Sequence, residues 1–209
     1  MSEKIEIETK VAEREPFDDP FEWFGAWFEE ASKLDIAYPN AMSLATVSPN
    51  GQPHCRTLLL KDWDLDGFVF YTNYRSMKGE DLGANPRATL QVYWRQLDRQ
   101  LRIEGEVERL EPEESDEYFA SRPRGSQLGA WASEQSRPIE SRAALVASYR
   151  EYEDKFEGEE IPRPPHWGGF RLVPSRFEFW RAGDHRLHDR WEFRPDSDPS
   201  NWLRARLNP

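Results

Sequence analysis

From Ala41 to Leu110 the chain reads as one strand after another, joined by tight turns and a single short helix. "AMSLATVS" and "HCRTLLLK" flank "PNGQP", whose Asn-Gly pair suits a hairpin turn. "DLDG" leads into "FVFYT", and "SMKGEDLGANP" is a short helix ended by its Gly-Ala-Asn-Pro breaker. "RATLQVYW" and "RQLRIEGEVERL" follow, around a turn at Gln96 to Asp98. In the second of these, Leu101, Ile103 and Val107 alternate with Arg102, Glu104 and Glu106, the pattern of a half-solvated antiparallel strand. The chain ends on further strand-like segments, "WGGFRLVP", "RFEFWRA", "HRLHDRWEF" and "NWLRARL". About eight strands with short connections predict a mainly β fold with flanking helices, closed or nearly closed as an antiparallel barrel. There is no βαβ alternation and no glycine fingerprint for a dinucleotide.

Helices fall in two blocks. In "DDPFEWFGAWFEEASKL", Asp19 is a fitting N-cap and Pro20 suits the first turn. Phe24, Trp27, Phe28, Ala31 and Leu34 recur at helical spacing as one apolar stripe. The second block runs through "EPEESDEYFASRP", "GSQLGAWAS" and "SRPIESRAALVASYREYEDKF", and a Pro-rich loop follows. Residues 1–16 read as a flexible, charged N-terminal arm, and 17–209 as a single domain. The 9 Trp, 12 Phe and 7 Tyr supply the core area that a 37% hydrophobic content would leave short.

A net charge of −11 and a pI near 5.0 argue against nucleic acid or an anionic membrane as partner. A basic site in such a chain is a local pocket, better matched to a small anion. The single Cys55 excludes an internal disulfide and fits a reducing, cytoplasmic setting. The charged N-terminal segment has no apolar core and does not read as a signal peptide, and no apolar run approaches membrane-spanning length. Metal is not expected, because the paired His185 and His188 have no cysteine near them.

Basic residues outside the surface helices gather in four places: Arg56 and Lys61; Arg75 and Lys78 around Ser76; Arg122 and Arg124 before Ser126; and the stretch "AGDHRLHDRW". Forked guanidinium groups interleaved with hydroxyls are what phosphate oxygens need. Ser76 and Lys78 at a helix start add backbone donors. Two phosphate seats match the number of basic groups better than one. If "HRLHDRW" is a strand, Arg186, His188 and Arg190 share a face while Leu187 and Asp189 point away. Such a face requires anions opposite it, either ligands or the chain's own carboxylates.

"RTLLLK", "FYTNYRSMKG", "SRPRGSQLGAWASEQS", "HWGGF", "EFW" and "HRLHDR", in this order, resemble the pyridoxamine 5′-phosphate oxidase family over roughly residues 17 to 209. The resemblance implies an FMN-binding split β-barrel and a homodimer with its active sites at the subunit interface. On the flavin side it implies Arg56 and Lys78 at the FMN phosphate, with Tyr71, Thr72, Gln100, Gln135, Ser136, Trp180 and Arg190 along the cofactor. On the substrate side it implies Lys61, Tyr118, Arg122 and Ser126 at the substrate's phosphate, Lys61 being counted on both sides. Arg186 and His188 are the implied catalytic pair beside the pyridine ring. Two departures stand out. Met77 occupies the place of a second basic residue at the FMN phosphate, and the N-terminal segment lacks the Arg-x-x-Tyr sequence that folds over substrate in some members.

The activity implied is oxidation of pyridoxamine 5′-phosphate and pyridoxine 5′-phosphate to pyridoxal 5′-phosphate by O2, releasing H2O2 and, from the amine, ammonia. Two rivals remain. One is a related flavin oxidase acting on a phenazine-type precursor, which needs no phosphate clamp; the other is a non-catalytic FMN- or pyridoxal-phosphate-binding protein.

Overall fold

The computed structural model describes residues 17–198 and 201–209. The arm expected over residues 1–16 lies outside them. In chain order the elements are α1 (Pro20–Ser32), β1 (Ala41–Val47), β2 (Pro53–Leu59), β3 (Asp62–Asp64), β4 (Gly67–Asn73), α2 (Met77–Ala84), β5 (Arg87–Trp94) and β6 (Arg99–Arg109). Then come α3 (Pro112–Ser121), α4 (Arg124–Ala132), α5 (Arg142–Lys155), β7 (Trp167–Arg181), β8 (Asp189–Pro195) and β9 (Trp202–Arg206). The nine strands run in the order β2-β1-β5-β6-β7-β4-β3, with β8 paired to β7 and β9 to β8.

Local chemistry accounts for the elements. The Asp19 carboxylate accepts hydrogen bonds from the Phe21 and Glu22 amides at 2.6 and 3.3 Å, and Pro20 opens α1. The hairpin β1–β2 pairs Ala45 with Cys55 and Val47 with Pro53, and Gly51 takes φ +85° in its turn. In β4 and β7, Tyr71 faces Gly169 and Thr72 faces Gly168. A Cβ on Gly168 would collide with the Tyr74 hydroxyl, and one on Gly169 with Leu110 and the Tyr71 ring. Among the described residues no helix is long and apolar enough to cross a membrane.

The chain packs as two compact units. One takes the described residues up to Asn40, Gln91–Ile103 and Ser175–Pro209. Its core is aromatic: Phe24, Trp94, Phe177, Phe179 and Phe193 are fully buried, and Trp23 stacks on Phe179 at 4.2 Å. The other takes Ala41–Leu90 and Glu104–Pro174. Met42, Leu44, Phe68, Phe70 and Leu172 are buried in it, and a second cluster joins Phe119, Leu128, Phe156, Ile161 and Trp167.

Four details differ from the sequence reading. β7 is one strand of 15 residues that runs through Pro174 rather than two strands. The last helix of the second block begins only at Arg142, capped by the Ser141 side chain at 3.0 Å from the Ala144 amide. Leu34 lies beyond α1 and is 37% exposed, outside the buried stripe. Finally, "HRLHDRWEF" is not a continuous strand. Asp184–Arg186 form a single 3-10 turn, and β8 begins at Asp189. His185 and Arg186 take φ +52° and +64°, which interrupts extended backbone, and the Leu187 amide closes the turn onto the Asp184 carbonyl at 2.9 Å.

Candidate functional site

The second unit holds a cavity of about 630 Å³. Lys61, Tyr71, Thr72, Lys78, Tyr118, Arg122, Ser126 and Gln135, eight of the residues singled out in the sequence, line it together. They arrive from different elements: Lys61 from just past β2, Tyr71 and Thr72 from β4, Lys78 from the first turn of α2, Tyr118 from α3 and Ser126 from α4.

Lys78 is 9% exposed. Its ammonium donates to Thr72 Oγ1 at 3.2 Å, Ser76 Oγ at 3.4 Å and Gln135 Oε1 at 3.0 Å. All three acceptors are neutral, and among the described residues no carboxylate pairs with it. Burial first, and the nearby Arg56 charge second, push its pKa down to about 8. A buried cation without a counter-ion is costly unless an anion joins it. Ser76 caps α2 through the Gly79 amide.

Arg122 is a second cation without an ion pair among the described residues, and it is half-buried. Its guanidinium carbon lies 4.5 Å from the Trp167 ring centroid and 5.6 Å from that of Phe119. Its NH1 is buried and makes no hydrogen bond among the described residues. Burial lowers its pKa, against a smaller opposing effect of Tyr118. Tyr71 stacks on Tyr118 at 3.8 Å, and Trp167 lies parallel to Tyr118 within 5°. Burial, with Glu114 next, raises the Tyr71 hydroxyl to about 12, so it stays neutral. The cavity thus offers two cations that no carboxylate pairs among the described residues, one of them with an unsatisfied NH1, and an aromatic wall.

Arg56 sits on β2 with its NH1 donating to the Leu44 carbonyl at 3.1 Å and to Thr46 Oγ1 at 2.7 Å. Asp81 of α2 lies behind it, 3.7 Å from NH2. Ser136 follows Gln135 in an exposed turn at φ +71°.

The other predicted residues belong to the first unit. The Gln100 side-chain oxygen accepts from Gln91 at 3.0 Å. Trp180 pairs with Arg190 across β7 and β8, and its ring centroid is 4.7 Å from that of His188. The Gly183 amide donates to His188 Nδ1 at 3.2 Å, which leaves Nε2 as the protonated nitrogen of the neutral ring. Arg190 donates to Glu178 Oε1 through Nε and NH2 at 3.0 and 2.7 Å, and through NH1 to the Asn208 carbonyl at 2.9 Å. The shared basic face expected for Arg186, His188 and Arg190 does not form, because the 3-10 turn removes Arg186 and His188 from the strand period. Arg186 is exposed and makes no ion pair among the described residues. Leu187, expected to point away from that face, is 52% exposed.

Glu178 was missed in the sequence. It is 3% exposed and also accepts from Arg102 at 2.7 Å and from Arg176 at 3.4 Å. Trp167, Asp81 and Thr46 were missed as well. Nothing local marks them, since their partners lie far along the chain.

Residues 28–156 match the family model described as pyridoxamine 5′-phosphate oxidase, and residues 167–209 match the one described as the pyridoxine 5′-phosphate oxidase C-terminal dimerisation region. A pyridoxine/pyridoxamine 5′-phosphate oxidase from Bordetella avium is 54% identical over 95% of this chain and 93% of its own. One of the same name from Cupriavidus metallidurans is 53% identical over the same shares. Among solved structures, PhzG from Burkholderia lata, in complex with tetrahydrophenazine-1-carboxylic acid, superposes with a TM-score of 0.86 at 31% identity, over 93% of this chain and 95% of that one. A pyridoxamine 5′-phosphate oxidase-related, FMN binding protein from Nostoc punctiforme gives a TM-score of 0.73 at 20% identity over 91% of this chain and 98% of its own, a likeness of fold.

Proposed function

Since the chain belongs to the pyridoxamine 5′-phosphate oxidase family and has its split-barrel fold, we propose that it oxidises pyridoxamine 5′-phosphate and pyridoxine 5′-phosphate to pyridoxal 5′-phosphate. It is a flavin oxidoreductase, and its cofactor is FMN. The observation that carries the substrate reading is Arg122: a half-buried guanidinium whose buried NH1 is unsatisfied, in the same cavity as Lys61 and Ser126, suits a phosphate. Lys78, buried without a carboxylate, fits the second phosphate, that of FMN, with Arg56 beside it.

When bound, FMN supplies the two-electron acceptance at the substrate's C4′ carbon and passes the electrons to O2. The chain's own residues position and neutralise. Lys61, Tyr118, Arg122 and Ser126 hold the substrate phosphate. Arg56 and Lys78 hold the cofactor phosphate, with Lys61, Tyr71, Thr72, Gln100, Gln135, Ser136 and Trp180 along the cofactor. His188 presents its Nε2 proton to the substrate hydroxyl, and Arg186 orients the ring. Arg190 places positive charge where electron density accumulates. The match of residues 167–209 to a dimerisation region supports a homodimer as the working unit.

The likeness to PhzG favours a second reading, oxidation of a phenazine-type precursor. It leaves Arg122 and Lys61 without a phosphate to bind. Oxygen consumption and pyridoxal 5′-phosphate formation with pyridoxamine 5′-phosphate, set against a tricyclic dihydrophenazine carboxylate, separates the two. Turnover of the tricycle alone refutes the proposal, and turnover of neither makes the protein a binder without catalysis.

A further inference from the structure

Behind Arg56 lies a chain of polar groups that the reading above leaves unused. Asp81 is 3% exposed and Thr46 1%. Asp81 Oδ2 accepts from Thr46 Oγ1 at 2.6 Å and lies 2.9 Å from His54 Nδ1. Burial alone would raise the Asp81 carboxyl; hydrogen bonds from Thr46 and His54, with the charges of His54 and Arg56, hold it below the ordinary carboxylate range instead. An ionised carboxylate only accepts, so both neighbours donate to it.

That fixes the direction of the next bond. Thr46 has one hydroxyl proton, and Asp81 takes it. Only the oxygen's lone pairs are left to face Arg56, whose NH1 donates to them at 2.7 Å. The same nitrogen reaches the Leu44 carbonyl at 3.1 Å, so one edge of the guanidinium is spent on β1. Its charge is also felt by Lys78, which lines the cavity. Arg56 NH2 also lies 3.7 Å from Asp81, so the carboxylate meets the guanidinium directly as well as through Thr46, and neither Asp81 nor Arg56 is among the residues lining the cavity.

We propose that Asp81 is a positioning residue for the cofactor's phosphate: acting through Thr46 and by its own ion pair with NH2, and steadied by His54, it holds the Arg56 guanidinium for the phosphate that Lys78 also meets. This rests on the assignment of Arg56 to the FMN phosphate. A carboxylate near a phosphate seat otherwise only repels the ligand, so its burial here calls for a compensating task. Thr46→Val separates the two effects, because it breaks the chain without changing any charge.

The test is a fluorescence titration of the flavin-free full chain with FMN and with riboflavin, which has the same ring and no phosphate. Thr46→Val, Asp81→Asn and Arg56→Met are each expected to lose about tenfold in FMN affinity, with riboflavin affinity unchanged. Thr46→Ser, which keeps the hydroxyl, restores FMN binding. Thr46→Val added to Arg56→Met costs nothing more, because both act through one guanidinium. Equal losses for FMN and riboflavin overturn the proposal and make the chain of bonds structural. So does unchanged or tighter FMN binding by Thr46→Val and Asp81→Asn while Arg56→Met loses it. If Arg56→Met itself keeps the preference for FMN, the assignment of Arg56 fails first, and the proposal falls with it. Asp81→Asn is isosteric, so it keeps the test decisive even where Thr46→Val does not fold.

Discussion

Replacing Glu178 by glutamine removes one charge and no volume, and it strikes the most heavily used carboxylate of the first unit. Oε1 receives both Arg190 contacts at 3.0 and 2.7 Å, and Oε2 receives Arg102 at 2.7 Å, with Arg176 at 3.4 Å. Glutamine keeps a single acceptor oxygen and turns an N–H2 group towards a guanidinium. Breaking a buried ion pair by removing one partner costs about 3–5 kcal/mol. The arginine side chains are 20–33% exposed, so water recovers part of that, and the expected loss is about 2–3 kcal/mol. For a chain of this size the midpoint should fall by about 4–12 °C. Urea unfolding of the flavin-free protein reads the loss directly, provided the slope stays that of the wild type. Arg190 keeps the Asn208 carbonyl as its remaining partner among the described residues, so its aim should loosen and FMN affinity should drop with stability. A stability loss under about 1 kcal/mol would show that the three arginines do not depend on Glu178, and the reasoning would be refuted.

Lys78 gives a pH dependence. Its depressed pKa means that the folded, flavin-free chain binds fewer protons there than the unfolded chain above about pH 8, so this group's stabilisation is present at alkaline pH and lost as pH falls through about 8. FMN binding restores the charge, and its affinity should fall as pH rises past about 8; a titration in which Lys78→Met shows the same pH slope as wild type would contradict this. Arg122→Met should weaken pyridoxamine 5′-phosphate binding about ten- to a hundredfold and spare flavin content, and an unchanged KM would place the substrate phosphate elsewhere. A Cβ at Gly183 would collide with the Leu187 carbonyl, so Gly183→Ala should shift the Asp184–His188 turn, lower kcat/KM about tenfold and leave FMN content intact; wild-type kinetics would detach this turn from the reaction.

Elements whose cause is local were legible in the sequence. Asp19-Pro20 announces α1, and Asn50-Gly51 announces the β1–β2 hairpin, because each works within a few residues. Elements decided by distant partners were not. Pro174 reads as a break, yet β7 passes through it. Arg186 and His188 read as strand until the turn onto Asp184 is seen. Cation and hydroxyl patterns singled out Lys61, Lys78, Arg122 and Ser126, the family resemblance added Tyr71, Thr72, Tyr118 and Gln135, and these eight line one cavity. Their supports could not: Glu178 is 76 residues from Arg102, and Asp81 is 35 from Thr46. A buried carboxylate looks in sequence like any surface one.

The adjacent glycines at the start of β7 carry a consequence for how this chain can drift. At Gly168 and Gly169 any side chain meets Tyr74, Leu110 or Tyr71. Both positions are therefore closed to ordinary substitution by packing alone, whatever reaction the protein runs. A descendant that changed its substrate would retain them, while one that kept the reaction but rebuilt Tyr74 could lose Gly168. The Gly-Gly pair is accordingly a marker of ancestry in the scaffold and a poor marker of chemistry, whose record lies in the cations around the cavity and in Trp167 beside them.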